Sequence, residues 1–117
     1  MRRAVITGIG VISSIGNNKE EVLASLKAGK SGITYSEQFE QHNLRSRVWG
    51  NIKLEPSELI DRKVIRFMGD AAAYAYLSMQ QAIDDAGLQE DQVSNERTGI
   101  VVGSGGASGK NTSESCD

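Results

Sequence analysis

The sequence predicts an α/β fold built in layers, with parallel strands joined by helical crossovers. Two short β-branched runs, residues 3–6 and 99–103, each end in glycines, and a long amphipathic helix is predicted between them over residues 61–86. Apolar runs without polar alternation are typical of strands covered on both faces. Strands that alternate with helices indicate parallel pairing through right-handed crossovers.

A shorter helix is predicted over residues 18–29, directly after the first glycine turn. Asn18 is a typical N-cap, and Glu21 stands three residues later, where it completes a capping box. Gly29 falls where a left-handed residue commonly ends a helix. These signals indicate both ends of the helix.

The next predicted strand covers residues 48–54. Apolar and polar residues alternate there, which is typical of a strand with one covered face, and Pro56 ends the pattern. The preceding residues 30–46 are polar and irregular, with strand-like character only at 33–35.

The long predicted helix over residues 61–86 carries an apolar stripe about 140° wide, at about 100° per residue. Its alanines predict close contact with a neighbouring backbone, and Gly87 indicates its end. The opposite face is predicted to be solvated and carries Gln80, Gln81, Asp84 and Asp85. The stripe consists of Val64, Ile65, Met68, Ala71, Ala72, Ala75, Tyr76, Met79, Ala82, Ile83 and Ala86.

Composition excludes several classes of protein. The 117 residues are 38% hydrophobic, which suits one small domain, and the net charge of −2 indicates no global field for nucleic acid or an anionic membrane. The longest apolar run, residues 71–77, is far shorter than the about 20 residues of a membrane span. The single cysteine, Cys116, cannot form an internal disulfide and fits a reducing compartment. We therefore expect a cytoplasmic protein without nucleic-acid or membrane partners.

Both glycine turns resemble phosphate-binding loops without matching them. Residues 8–13 and 103–108 follow predicted strands as a dinucleotide fingerprint does, but their third positions are Ser13 and Ser108. A Walker loop would need glycine at Ser104 and a hydroxyl residue at Asn111. A structural turn that lets strand and helix approach closely is the favoured interpretation, and nucleotide binding remains the minor alternative.

Candidate catalytic side chains are few. His42 lies in a polar stretch with no Cys or carboxylate at metal-ligand spacing, so no metal site is predicted. Cys116 has Glu114 and Asp117 beside it, and their negative charge opposes thiolate formation. Neither residue is predicted to be catalytic.

A basic group, Arg62, Lys63 and Arg66, opens the long predicted helix, where the helix dipole disfavours cations. Helical projection places the three side chains within about 100° of one another, away from the apolar stripe. Their charges are either neutralised by nearby carboxylates or kept for an acidic docking partner. Charge alone favours neutralisation, for which the candidates are Glu55, Glu58, Asp61 and Asp70.

Three blocks in this order and spacing resemble the N-terminal part of the β-ketoacyl-acyl-carrier-protein synthases, most closely the synthase I subfamily. They are RAVITGIGVISSIGNN, IDRKVIRFMGDAAAYAYLSMQQAIDDAG and GIVVGSGG. The resemblance implies a thiolase-like, layered α-β-α-β-α fold, a homodimer, and an N-terminal domain that is incomplete in residues 1–117. It also implies the condensing reaction of type II fatty acid biosynthesis, with acyl and malonyl groups delivered by acyl carrier protein and no dissociable cofactor.

The resemblance assigns roles to some residues and withholds them from others. The family's nucleophilic cysteine lies in a Ser-Ala-Cys-Ala-Thr-like turn that Cys116 lacks, so no catalytic residue is expected within residues 1–117, which alone should be inactive. The basic group matches the family's carrier-protein docking patch, and docking becomes the favoured interpretation of Arg62, Lys63 and Arg66. Gly106 and Ala107 match a loop that lines the acyl channel. A short non-catalytic module that binds carrier protein is the alternative.

Overall fold

The computed structural model describes residues 2–106, 108, 109, 112 and 116. The described elements alternate helices with two short strands. In chain order they are α1 (Lys19–Lys27), β1 (Ile33–Tyr35), α2 (Glu37–Gln41), β2 (Val48–Gly50), a 3₁₀ helix (Pro56–Glu58), α3 (Arg62–Ile65), α4 (Asp70–Ala86) and α5 (Glu90–Val93).

Helix α1 begins and ends where the sequence predicts. The Asn18 side chain accepts a hydrogen bond from the Glu21 N–H at 2.9 Å, and the Glu21 carboxylate accepts one from the Asn17 N–H at 2.8 Å. Gly29, just beyond the C-cap, has a φ of 62°. Both predicted ends are confirmed because local side chains and one glycine are sufficient to set them. The reciprocal bond of a capping box is not formed, since Glu21 binds the N–H of Asn17 and not that of Asn18.

Strands β1 and β2 form an antiparallel pair in which Thr34 lies opposite Trp49. The strand-like character at residues 33–35 is confirmed, whereas the strand predicted over residues 48–54 ends at Gly50. Helix α2 closes over this pair, with the Phe39 and Trp49 ring centroids 5.9 Å apart. Buried Ser36 caps α2, since its hydroxyl accepts from the Phe39 N–H at 3.3 Å.

The long helix predicted over residues 61–86 is two helices, because α3 ends at Ile65 and α4 begins at Asp70. Gly69 is the N-cap of α4, with extended backbone angles of φ −77° and ψ 167°. Glycine is a poor residue for a helix interior and an acceptable N-cap, whereas the apolar stripe runs on through the break and hides it. Gly87, with φ 66°, ends α4 as predicted.

The two strands predicted at residues 3–6 and 99–103 lie outside the β-ladder of the described residues, which is the antiparallel β1–β2 pair. Their side chains are open to solvent: Val5 is 79% exposed and Val101 is 98% exposed. The prediction of parallel pairing is therefore wrong for the described residues. A strand needs a neighbour for its backbone groups, and a local apolar pattern does not provide one.

The core of the described residues is correspondingly small. Its buried hydrophobic residues are Ile60, 5% exposed, and Ala73, 1% exposed. Tyr76 and Met79, both in the predicted apolar stripe of α4, remain 44% and 41% exposed. Helix α4 is thus only partly covered.

Candidate functional site

The basic group forms one exposed surface, here called the basic surface and defined as Arg62, Lys63 and Arg66. Arg62 and Lys63 lie on α3, and Arg66 is its C-cap. Asp61 is the N-cap of α3, and its carboxylate accepts a hydrogen bond from the Lys63 N–H at 2.7 Å. All three cationic side chains belong to exposed residues, so they reach solvent together.

Two of the nearby carboxylates, Asp61 and Glu55, interact with backbone and hydroxyl groups. Asp61 caps α3, and Glu55 accepts a hydrogen bond from the Ser57 hydroxyl at 2.8 Å. Within the described part of the chain, the ion pairs join Lys19 to Glu20 and to Asp85, and Arg47 to Glu40. None of them includes the basic surface, so its charge remains available to a partner.

An aromatic ring adjoins the basic surface. Phe67 is 78% exposed, and the Arg66 guanidinium carbon lies 4.4 Å from the centre of its ring. This is the geometry of a cation–π contact. The sequence pattern did not single out Phe67, because it lies outside the apolar stripe of a helix predicted to be continuous.

The first glycine turn brings the N-terminal segment against the backbone of α4. A Cβ on Gly10 would overlap the carbonyl oxygen of Ser78, and a Cβ on Gly8 would lie 2.8 Å from the Ala86 nitrogen. The dinucleotide interpretation requires a helix that starts directly behind the glycines, but α1 starts only at Lys19. The geometry supports the structural interpretation of this turn.

Gln81 fixes the same segment by two hydrogen bonds. Its side-chain carbonyl accepts from the Val11 N–H at 3.1 Å, and its amide donates to the Asn17 carbonyl at 2.7 Å. The prediction that Gln81 faces solvent is wrong, because the segment covers this side of α4. A side-chain amide supplies both a donor and an acceptor, so it satisfies two backbone groups that a turn leaves unpaired.

Asp85 lies one helical turn beyond Gln81 on α4 and binds the N-terminal segment at both ends, at Ile9 and at Lys19. Its carboxylate accepts a hydrogen bond from the Ile9 N–H at 3.0 Å and forms an ion pair with Lys19. Two hydrogen bonds lower the pKa of Asp85: the bond donated by Lys19 has the larger effect, and the bond donated by the Ile9 N–H has the smaller one. The hydrogen bond to Asp85 raises the pKa of Lys19. Asp85 is exposed, as the sequence predicts, but its contacts with Ile9 and Lys19 are not visible in the sequence.

Asp85→Asn is expected to lower the melting temperature by a few degrees at neutral pH. Because the folded-state pKa of Asp85 is depressed, its contribution to stability is present above its unfolded pKa of about 3.9 and is lost as the pH falls through its folded pKa. The Lys19 contribution is lost as the pH rises through its raised pKa, above about 10.4. Thermal unfolding followed by circular dichroism from pH 2 to pH 7 measures the acidic limb.

Asp84→Asn is the matched control for this prediction. The Asp84 carboxylate accepts a hydrogen bond from Gln80 within α4, at 3.0 Å, and leaves the N-terminal segment untouched. Equal shifts for the two variants, or a shift for Asp85→Asn that persists at the most acidic pH, would contradict the role of Asp85.

The remaining predicted site residues are only partly described. The Gly106 carbonyl accepts a hydrogen bond from the Ser104 hydroxyl at 2.9 Å, and a Cβ placed on Gly106 would meet no described atom within 4 Å beyond its chain neighbours. Ala107 lies outside the described residues. The acyl-channel role of this pair stays a prediction.

The described residues hold no group of three or more side chains suited to a metal ion. His42 ends α2 and is exposed, and Cys116 is a free, exposed thiol. Among the described helices, none is long and apolar enough to cross a lipid bilayer.

Comparison with known proteins identifies the family. The family model of the β-ketoacyl synthase N-terminal domain matches residues 1–117. The chain belongs to the β-ketoacyl synthase family. Among curated relatives, 3-oxoacyl-[acyl-carrier-protein] synthase 1 of Haemophilus influenzae is 71% identical over 117 residues, which is 100% of this chain and 29% of that protein. Synthase 1 of Escherichia coli K12 is 61% identical over 109 residues, which is 92% of this chain and 27% of that protein.

A more distant family member is 3-oxoacyl-[acyl-carrier-protein] synthase 2 of Coxiella burnetii, which is 33% identical over 105 residues, or 89% of this chain and 25% of that protein. Among solved structures, the ishigamide ketosynthase/chain length factor matches with a TM-score of 0.68 and 40% identity, over 78% of this chain and 23% of that chain. The α/β, thiolase-like fold class predicted from the sequence is confirmed. The chain spans less than a third of the length of each of these relatives.

Proposed function

We propose that these residues form the N-terminal part of a 3-oxoacyl-acyl-carrier-protein synthase I, an acyltransferase of fatty acid biosynthesis. The 71% identity to synthase 1 of Haemophilus influenzae across the whole chain carries the proposal. Identity to synthase 2 of Coxiella burnetii is only 33%, which favours the synthase I subfamily. The complete enzyme would be a cytoplasmic homodimer that needs no dissociable cofactor.

The reaction is a decarboxylative Claisen condensation. A cysteine thiolate displaces the carrier thiol from an acyl thioester and keeps the acyl group. Malonyl carrier protein then loses carbon dioxide, and the electrons of the broken carbon–carbon bond form a carbanion that attacks the acyl carbon and releases the cysteine. Hydrogen-bond donors must stabilise the oxyanion that forms during this attack.

Residues 1–117 would supply scaffold and docking surface to this reaction, while the bond-making groups would lie outside them. His42 and Cys116 are both exposed, and no described side chain hydrogen-bonds to the imidazole or the thiol. An activated thiol needs a base within hydrogen-bond reach. We therefore expect no condensation by these 117 residues alone, which would be an incomplete N-terminal domain.

Acyl carrier protein would dock on the basic surface. The cations of Arg62, Lys63 and Arg66 are exposed together, and the described ion pairs involve none of them. Charge-assisted hydrogen bonds to carboxylates are roughly twice as strong as neutral ones, and complementary charge accelerates encounter. The docking role thus rests on charge that the fold leaves available.

A chimera tests the proposed function. In it, this sequence replaces the 117 matching residues of synthase 1 of Haemophilus influenzae, and condensation of acyl and malonyl carrier protein is measured. We expect a rate within about tenfold of the parent enzyme, a barrier difference of about 1.4 kcal/mol or less. The unmodified parent is the control. A chimera that melts at the parent's temperature and does not condense would contradict the proposal.

The alternative is a short non-catalytic module that binds carrier protein. It is favoured by one observation: the described residues present a basic surface and no thiol activated by a neighbouring base. Under this alternative, the 117-residue chain binds carrier protein in a titration while the chimera fails to condense.

A further inference from the structure

The turn between α3 and α4 presents Phe67 outward on an ordered backbone. Its N–H donates to the Val64 carbonyl at 3.2 Å, and the Met68 N–H donates to the Ile65 carbonyl at 2.9 Å. Ile65 and Met68 are half-buried, whereas Phe67 is 78% exposed. The backbone that packs its neighbours inward therefore holds this ring in solvent.

Arg66 lies over the ring of Phe67, with its guanidinium carbon 4.4 Å from the ring centre. A guanidinium that stacks on an aromatic face keeps its N–H donors at its edge, where a carboxylate can accept two of them. A partner's carboxylate that binds Arg66 would therefore lie beside the Phe67 ring. An apolar side chain of the same partner could then contact the ring. Stacking also reduces the side-chain freedom that Arg66 would lose on binding.

The region around the ring combines charge with apolar surface. Arg62, Lys63 and Arg66 supply three cations, and Val64, whose carbonyl accepts from the Phe67 N–H, is 40% exposed. Many large hydrophobic side chains of the described residues are exposed, and the cation that lies over its ring sets Phe67 apart from them. Interfaces commonly place an aromatic or arginine anchor inside a polar rim. Three cations are also fewer than the phosphate contacts on which strong nucleic-acid binding depends.

We propose that Phe67 is the apolar anchor of the basic surface, so that the surface binds an acidic protein segment that places an apolar side chain on the ring and carboxylates on Arg62, Lys63 and Arg66. This inference rests on the proposed docking of an acidic carrier. It adds an apolar contact that determines how tightly the docked partner is held, while the charges determine how fast it arrives.

The test uses the Haemophilus influenzae chimera described above, with Phe67→Ala, Phe67→Leu and the control Leu26→Ala. Leu26 lies on α1 and is 64% exposed. We expect Phe67→Ala to raise the KM for carrier-bound acyl substrate by about three- to tenfold, as for truncation of an interface anchor. Phe67→Leu should restore most of the affinity, and Leu26→Ala should change nothing.

Two further measurements separate docking from folding. The KM for acyl pantetheine should be unchanged in Phe67→Ala, and the salt dependence of the carrier KM should be retained because the cations remain. Unchanged carrier KM in Phe67→Ala, alongside an increase on reversal of the three charges, would overturn the anchor and leave the docking proposal intact. No change on charge reversal would overturn the docking proposal and this inference with it.

A photo-crosslinking amino acid at position 67 keeps the inference testable if Phe67→Ala unfolds. We expect a covalent product with acyl carrier protein when the probe stands at position 67 and none when it stands at position 26. Equal products at both positions, no product at position 67, or a product with nucleic acid there would overturn the inference.

Discussion

Replacing Gly10 with alanine is expected to lower the free energy of unfolding by about 3 kcal/mol or more. The added Cβ would overlap the carbonyl oxygen of Ser78 and lie 2.9 Å from the backbone nitrogen of Ala82. These are backbone atoms inside a helix, so they cannot rotate away. The N-terminal segment would have to leave α4, which would break the hydrogen bond from the Val11 N–H to Gln81.

Urea unfolding of Gly10→Ala and of the control Gly99→Ala measures this effect. A Cβ on Gly99 has no heavy atom within 4 Å, so we expect a change within about 0.5 kcal/mol for the control. Gly29 and Gly87 are unsuitable controls because their positive φ values add backbone strain to any side chain. Similar losses for the two variants would show that close approach to α4 is not the reason for glycine at position 10.

Reversing the charges of the basic surface is the second substitution with a large expected effect. In the chimera, Arg62→Glu, Lys63→Glu and Arg66→Glu together should raise the KM for carrier-bound substrate by about 10- to 100-fold, within the range over which steering changes association rates. Like charges would then face the acidic carrier and slow its approach. Pantetheine thioesters carry no such surface, so their KM should stay near that of the parent.

The control for charge reversal is an equal change of net charge elsewhere. Lys27, Lys30 and Lys53 are exposed, and their joint reversal to glutamate alters the total charge by the same amount. We expect a smaller effect on the carrier KM, because these lysines lie outside the basic surface and a change of net charge alone does not alter the charges that the docked carrier contacts. Equal increases for the two triple variants would remove the specific docking role.

The features predicted correctly from the sequence are those that depend on nearby residues. The Asn18 cap, the left-handed Gly29 and the end of α4 at Gly87 each involve residues within about one helical turn. The β1–β2 pair was visible only as local strand character, and its antiparallel register follows from the fold of the intervening segment.

The features predicted wrongly depend on distant contacts. Gln81 is half-buried against residues 11–17, and Asp85, exposed as predicted, contacts Ile9 and Lys19; nothing in their own sequence neighbourhood indicates these contacts. The strands predicted at 3–6 and 99–103 rest on a local apolar, β-branched pattern. Such a pattern does not identify the neighbouring strand that a β-ladder requires.

The candidate site was predicted in part. Three cations at one end of a helix are visible in the sequence, and the three resembling blocks gave them a role. Phe67 was missed because the helix was predicted to continue through residues 66–69, whereas the chain turns there and Gly69 starts a second helix. A break that interrupts neither the apolar stripe nor the charge pattern leaves only the glycine as a signal.

Within the described residues, the segments 3–6 and 99–103 lie outside the β-ladder, and this affects the order in which the polypeptide folds. The residues that follow the first segment turn against α4 and then form α1, so any strand that pairs with it comes from far along the sequence or from another molecule. Pairings of such high contact order form late. Until then residues 100–102, of which Val101 is 98% exposed, present apolar side chains to other molecules, which favours aggregation during folding.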